Sequence, residues 1–200
     1  MKINKIIINN YRRIYKEQVI DLSNTNNKNI NLFFGANGSG KSTIYNSIFL
    51  AFYGVEVKLE EATKKEPLIN KKYSNERTQN EICSIEIDLD IEFDSKRYIV
   101  TRKINIKNNS DIEFHVKQDP AHKWAFRPVC ESNELFIKQI HKNSGTNILD
   151  PLGFIQKEFP MELAPFYLVD GDSVNDIEEK LGVQIASAVQ EYSGIKVAGE

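Results

Sequence analysis

The sequence predicts an α/β fold, a mixed sheet carrying an antiparallel β-meander with helices at its flanks. Three observations carry that expectation. The short apolar run at 30–34 ends in Gly35-Ala36-Asn37-Gly38-Ser39-Gly40, as a strand does when it feeds a loop and a helix. Residues 41–53 then place Ile44, Ile48, Ala51 and Phe52 at helical spacing. From Ile82 the period changes to two, and Ile85, Ile87, Leu89, Ile91 and Phe93 alternate with polar residues.

Taken in order, residues 3–8 and 16–22 have strand character, and the Asn-rich stretch at 24–29 reads as a turn. Residues 30–34 suit a strand buried on both faces. The helix over 41–53 meets Gly54, where a helix stop is expected. Residues 58–80 are rich in Lys and Glu, contain Pro67 and read as an exposed connection. The meander runs through 82–93, a turn at Asp94-Ser95, then 97–106 and 112–117. Residues 135–141 and 153–159 are expected to be helical. A second buried-type strand is expected at 166–169 and a further helix at 173–192, with Ser173 and Asp176 in an N-cap arrangement.

Composition narrows the function classes. The 200 residues carry 26 basic and 28 acidic side chains, a net charge of -2, so no global basic field marks a nucleic-acid partner. Lys5 interrupts an N-terminal apolar run far too short to span a membrane. No secretory signal fits, and a cytoplasmic chain with no membrane partner is expected. Cys83 and Cys130 lie far apart and are expected to be reduced and structural.

One motif carries chemistry. Gly35-Ala36-Asn37-Gly38-Ser39-Gly40-Lys41-Ser42, followed by Thr43, fits G-x-x-x-x-G-K-[ST] at every fixed position. Its glycines let the backbone wrap a polyanion with N–H groups turned inward. The helix beginning near Lys41 points the positive end of its dipole at the same place. Lys41 brings a full charge for the β/γ-phosphates, and the Ser42 hydroxyl is a ligand for Mg²⁺. A chance glycine-rich turn is the alternative, but the motif lies between a strand-like run and a helix, the context it requires. ATP with Mg²⁺ is the expected ligand, and the sequence holds no N-K-x-D guanine motif.

The flanking residues add a resemblance. Asn9-Asn10-Tyr11-Arg12-Arg13, Asn37-Gly38-Ser39-Gly40-Lys41-Ser42-Thr43 and Ile48-Phe49-Leu50-Ala51-Phe52-Tyr53-Gly54 resemble the SMC and SbcC-type ABC ATPases. Phe166-Tyr167-Leu168-Val169-Asp170-Gly171-Asp172-Ser173 is similar to a segment of the DndD-like ATPases of phosphorothioate-linked DNA restriction. The resemblance implies the N-terminal lobe of an ABC-type head. Residues 1–57 would form the strands, P-loop and first helix, and 58–81 the polar connection. Residues 82–132 would form the meander, and 133–200 a helical part leading towards a coiled coil. It also implies that Arg12, with Arg13 beside it, reaches the nucleotide, and that Asp170-Gly171-Asp172 occupies the Q-loop position near Mg²⁺. A solvated turn at Arg12 and Arg13 and helix capping by Asp170 and Asp172 remain open beside those roles. So does Asp170 as the acid of a Walker B strand.

No signature motif, Walker B–Glu pair, switch His, C-x-x-C hook or sustained heptads occur in the sequence. In the resembled family these lie in the coiled coil and the C-terminal lobe. No catalytic residue is therefore assigned, and hydrolysis is expected only with the missing lobe and a second head. Expected partners are the C-terminal lobe, a second head, DNA and a nuclease subunit. Two alternatives stand beside this reading: a stand-alone P-loop NTPase using Asp170, and a scaffold that binds ATP without hydrolysis. Lys64, Lys65, Lys71, Lys72 and Arg77 offer phosphate contacts, but Glu60, Glu61, Glu66 and Glu76 dilute them. Trp124 reads as packing or base stacking, and His115, His122 and His141 have no ligand spacing.

Overall fold

A computed structural model describes residues 1–23, 31, 33–57, 67–108, 116–118, 125–142 and 144–164. The elements are β1 (Lys2–Asn9), β2 (Glu17–Asp21), α1 (Lys41–Tyr53), β3 (Glu56–Val57), α2 (Lys71–Asn75), β4 (Ile82–Phe93), β5 (Lys96–Lys107), β6 (Val116–Gln118), β7 (Ala125–Pro128), β8 (Ser132–Ile140), β9 (Gly145–Asn147) and α3 (Pro151–Glu158). A 3₁₀ turn at Met161–Leu163 follows. The chain divides into two compact units, Met1–Phe154 and Ile155–Glu200.

In the first unit, alternation dictates the main sheet. Its order is β2-β1-β4-β5-β8-β9, and all five pairings are antiparallel. Ile85, Ile87, Leu89 and Ile91 of β4 are fully buried, as are Ile6 and Ile8 of β1, so the period-two rows form one dry face. Each such side chain contributes about 1.5–3 kcal/mol on leaving water. The opposite face carries Glu86, Asp88 and Lys103, and the buried carboxylate of Asp90 is held by Arg97 through two bonds at 2.9 and 2.5 Å. The β4–β5 turn is Asp94-Ser95, both at positive φ (49° and 57°), the geometry whose twist suits a two-residue hairpin.

Helix α1 packs against β3, β4 and β5. It starts directly after the glycine-rich loop and stops at Gly54, whose φ of 66° and N–H bond to the Leu50 carbonyl make a left-handed cap. Its buried residues are Thr43, Asn46, Ser47, Phe49, Leu50, Ala51 and Phe52. The expected stripe is thus shifted, with Ile44 and Ile48 only half-buried.

Four expectations change. Residues 135–141 are strand rather than helix: Leu135, Phe136, Ile137 and Ile140 fit either period, and a nine-residue ladder with β5 decides for β8. The stretch 67–80 is not simply an exposed connection. Leu68 and Ile69 are buried, Ile69 bridges Tyr11, and Asn70 caps α2 by accepting from the N–H groups of Lys72 and Tyr73. The third meander strand does not extend the main sheet, because β6 pairs with β7 in a separate sheet of order β3-β7-β6. Phe33 and Phe34, placed in a buried strand by the sequence, are 43% and 89% exposed and lie in no strand. Burial on both faces requires packed layers above and below a strand, which the exposure of Phe33 and Phe34 rules out for these two residues.

The second unit is described over 155–164 only, where Ile155, Phe159 and Ala164 are buried and the Phe159 N–H donates to the Ile155 carbonyl at 2.8 Å. The expected strand at 166–169, the helix at 173–192, Asp170, Asp172, the lysines at 64 and 65, His115, His122 and Trp124 lie outside the described residues. Cys83 is buried and Cys130 half-buried, both as thiols. Among the described residues, no helix is long and apolar enough to cross a membrane.

Candidate phosphate-binding site

The loop at 35–41 closes on itself through its backbone. The Ser39 N–H donates to the Ala36 carbonyl at 3.1 Å, and Gly38 adopts a φ of 79°. Gly40, the N-cap of α1, lies at φ 101°, which strains any side-chain-bearing residue. At Gly35 an added Cβ would collide with the Ser39 side chain. The glycines at 35, 38 and 40 are therefore demanded by space or by conformation.

Among the described residues, no side-chain acceptor covers the helix start, and its first turn holds no acidic residue. The opening N–H groups of a helix have no intrahelical acceptor, and the dipole adds positive potential there. The Lys41 ammonium folds over the loop, donating to the carbonyls of Gly35 at 2.7 Å and Ala36 at 3.1 Å. It thereby covers the loop's acceptors with a cation. Loop residues 33–39 are exposed, as is Ser42. The donor set is cationic and reachable, the chemistry a polyphosphate requires.

A second positive group meets the loop from the β1–β2 turn. Arg13 Nη1 donates to the Gly38 carbonyl. Arg12 is buried, with its Nε on the Tyr11 hydroxyl at 3.2 Å and its N–H on the Leu68 carbonyl at 2.7 Å. The turn is held by residues the sequence analysis did not single out. Asn70 Nδ2 donates to the Arg12 carbonyl at 2.8 Å, and the Asn70 N–H donates to the Asn10 carbonyl at 2.8 Å. Nearby, the Lys72 ammonium lies 4.2 Å from the Tyr15 ring centre, and Arg77 stacks at 3.4 Å on Tyr73. The Tyr15 hydroxyl donates to Glu76 at 2.7 Å, and that bond raises the Tyr15 pKa above its ordinary value. Lys72 and Arg77, weighed above as DNA contacts, are thus engaged with aromatic rings.

Metal ligands are sparse. Among the described residues, no group of three or more His, Cys, Asp or Glu could hold a metal ion. Ser42 offers one exposed hydroxyl, and Asp170 lies outside the described residues. Mg²⁺ fits here only as an ion carried largely by phosphate oxygens and water, its usual manner of binding.

Sequence reasoning also missed Arg102 and Asn133, which bond carbonyls at the C-terminal end of α1, and Asn70, which ties the β1–β2 turn. The first had a signal: period two on β5 places Arg102 in the inward row between Val100 and Ile104.

A protein-family model described as an AAA domain matches residues 5–160. No curated protein matches the chain.

Proposed function

Because the chain belongs to the AAA domain family of P-loop ATPases, we propose that it is the ATP-binding lobe of an SMC-like ATPase of the SbcC and DndD type, acting in DNA processing, repair or anti-phage defence. The observation that carries the nucleotide reading is the start of α1 without a side-chain cap, with Gly40 in the left-handed region and Lys41 folded over the loop. Residues 37–43 hold the phosphates through backbone N–H groups and the Lys41 ammonium, and Arg13 stands beside them. Arg12 serves the site from behind, through the turn it stabilises. Mg²⁺, when bound, neutralises phosphate charge, and Ser42 is its protein ligand with Asp170 as a second.

The SMC-like reading draws support from the motifs at 9–13 and 48–54 and from the hairpin-rich sheet flanking the loop helix. In this reading the lobe binds ATP, a C-terminal lobe supplies the general base, and engagement of two heads couples binding to DNA or to a nuclease partner. ATP drives engagement only as far as it binds the engaged state more tightly.

Calorimetry with Mg-ATP, beside Lys41→Ala, tests the first step. Binding lost in the variant is expected, and equal heats from both proteins refute the nucleotide site. Steady-state turnover tests the second. No turnover by the chain alone, and turnover when the complementary half is added, fits the head-lobe reading. Robust Lys41-dependent turnover by the chain alone replaces it with a stand-alone NTPase.

A further inference from the structure

Arg102 breaks an apolar row. It faces inward from β5 between Val100 and Ile104 and is only 3% exposed. A guanidinium stays ionised, so such burial requires acceptors. Nε donates to the Ala51 carbonyl at 3.2 Å, Nη2 to the Phe52 carbonyl at 2.9 Å and Nη1 to Asn133 Oδ1 at 3.2 Å. Asn133 Nδ2 in turn donates to the Gly54 carbonyl at 3.0 Å. Ala51, Phe52 and Gly54 belong to the C-terminal end of α1, where carbonyls lack intrahelical donors and the dipole is negative. Two strands therefore grip the end of one helix through a rigid planar fork and an amide.

The opposite end of that helix is the phosphate loop. Among the described residues its N-cap, Gly40, brings no side-chain cap to that end. A thirteen-residue helix moves as one rod of about 20 Å. Fixing its far end in translation and rotation sets where its first N–H groups point. Stability alone does not explain an ion in this row, because well-packed apolar residues commonly replace buried charges without loss.

We propose that Arg102 is a positioning residue for the phosphate loop: with Asn133 it locks the C-terminal end of α1 onto β5 and β8 and so aims the N–H groups at the other end. The proposal rests on the reading of the loop as a nucleotide site.

The test measures Mg-ATP affinity by calorimetry and amide hydrogen exchange at residues 35–43, in the whole chain. Arg102→Met is expected to weaken binding about tenfold and to speed exchange in the loop. Arg102→Lys keeps the charge but cannot fork onto three acceptors, and should fall in between. Ile104→Val, a core control that lowers Tm, should leave affinity at the wild-type value. A folded Arg102→Met chain binding like wild type overturns the proposal, as does an Ile104→Val chain weakened equally. Should Arg102→Met fail to fold, Asn133→Ser decides: about threefold weaker binding supports the clamp, and wild-type affinity overturns it. If wild type shows no Lys41-dependent binding, the nucleotide reading fails first. The clamp then stands or falls on loop exchange in Arg102→Lys, where unchanged exchange overturns it.

Discussion

Gly54→Ala puts two independent strains on one position, and their sum can be worked out. Gly54 sits at φ 66° and ψ 21°, where an alanine costs about 1 kcal/mol relative to glycine. Its Cβ would come within 2.9 Å of Asn133 Nδ2, 3.2 Å of Asn133 Oδ1 and 3.3 Å of Arg102 Nη1. Asn133 stands on a strand paired along its length, so its side chain must turn away and give up its bond to the Gly54 carbonyl. That loss adds about 0.5–1.5 kcal/mol. The expected total is about 2 kcal/mol, or a fall in Tm of about 4–8 °C for a domain of this size. Urea unfolding followed by far-UV circular dichroism measures it. Repeating the substitution in an Asn133→Ala background should return about 0.5 kcal/mol or more of coupling. A loss below about 0.5 kcal/mol in the wild-type background would refute the account of the helix end.

Two further predictions concern the supports of the site. Asn70→Ala removes the cap of α2 and the donor to the Arg12 carbonyl, and should cost about 1–3 kcal/mol in urea unfolding, with faster amide exchange at 10–13; unchanged exchange there would sink the tie. Burial raises the Asp88 pKa, with the negative charge of Glu17 adding to it and the Thr101 hydroxyl opposing it. A raised carboxylate favours the folded state at low pH, and that contribution fades as pH rises through the folded pKa. Asp88→Asn should therefore be more stable than wild type near about pH 7, with the advantage gone near about pH 3. A constant difference across that range refutes the assignment.

Much of this arrangement is legible from residue order because its causes are local. Alternation in 82–93 fixes which side chains of β4 are dry, and the glycine spacing at 35–40 fixes where a backbone can wrap an anion. Gly54 marks the end of α1 for the same local reason. The misread parts depend on partners distant in the chain. Residues 135–140 satisfy both periods, and only β5 alongside makes them a strand. Leu68 and Ile69 look exposed in a charged neighbourhood until the β1–β2 turn is folded against them. Arg102 and Asn133 meet α1 across about fifty and eighty positions of chain, a separation no spacing rule reaches.

Asn70 also bears on how chains of this kind can differ in length. Its side chain and backbone fix the polypeptide to the Asn10–Arg12 turn, while β3 pairs with β7 earlier in the chain. Between two fixed moorings, doubling the number of intervening residues costs only about 0.6 kcal/mol in closure entropy. A change of length between two such fixed points is therefore cheap, whereas the residue filling the role of Asn70 should resist replacement.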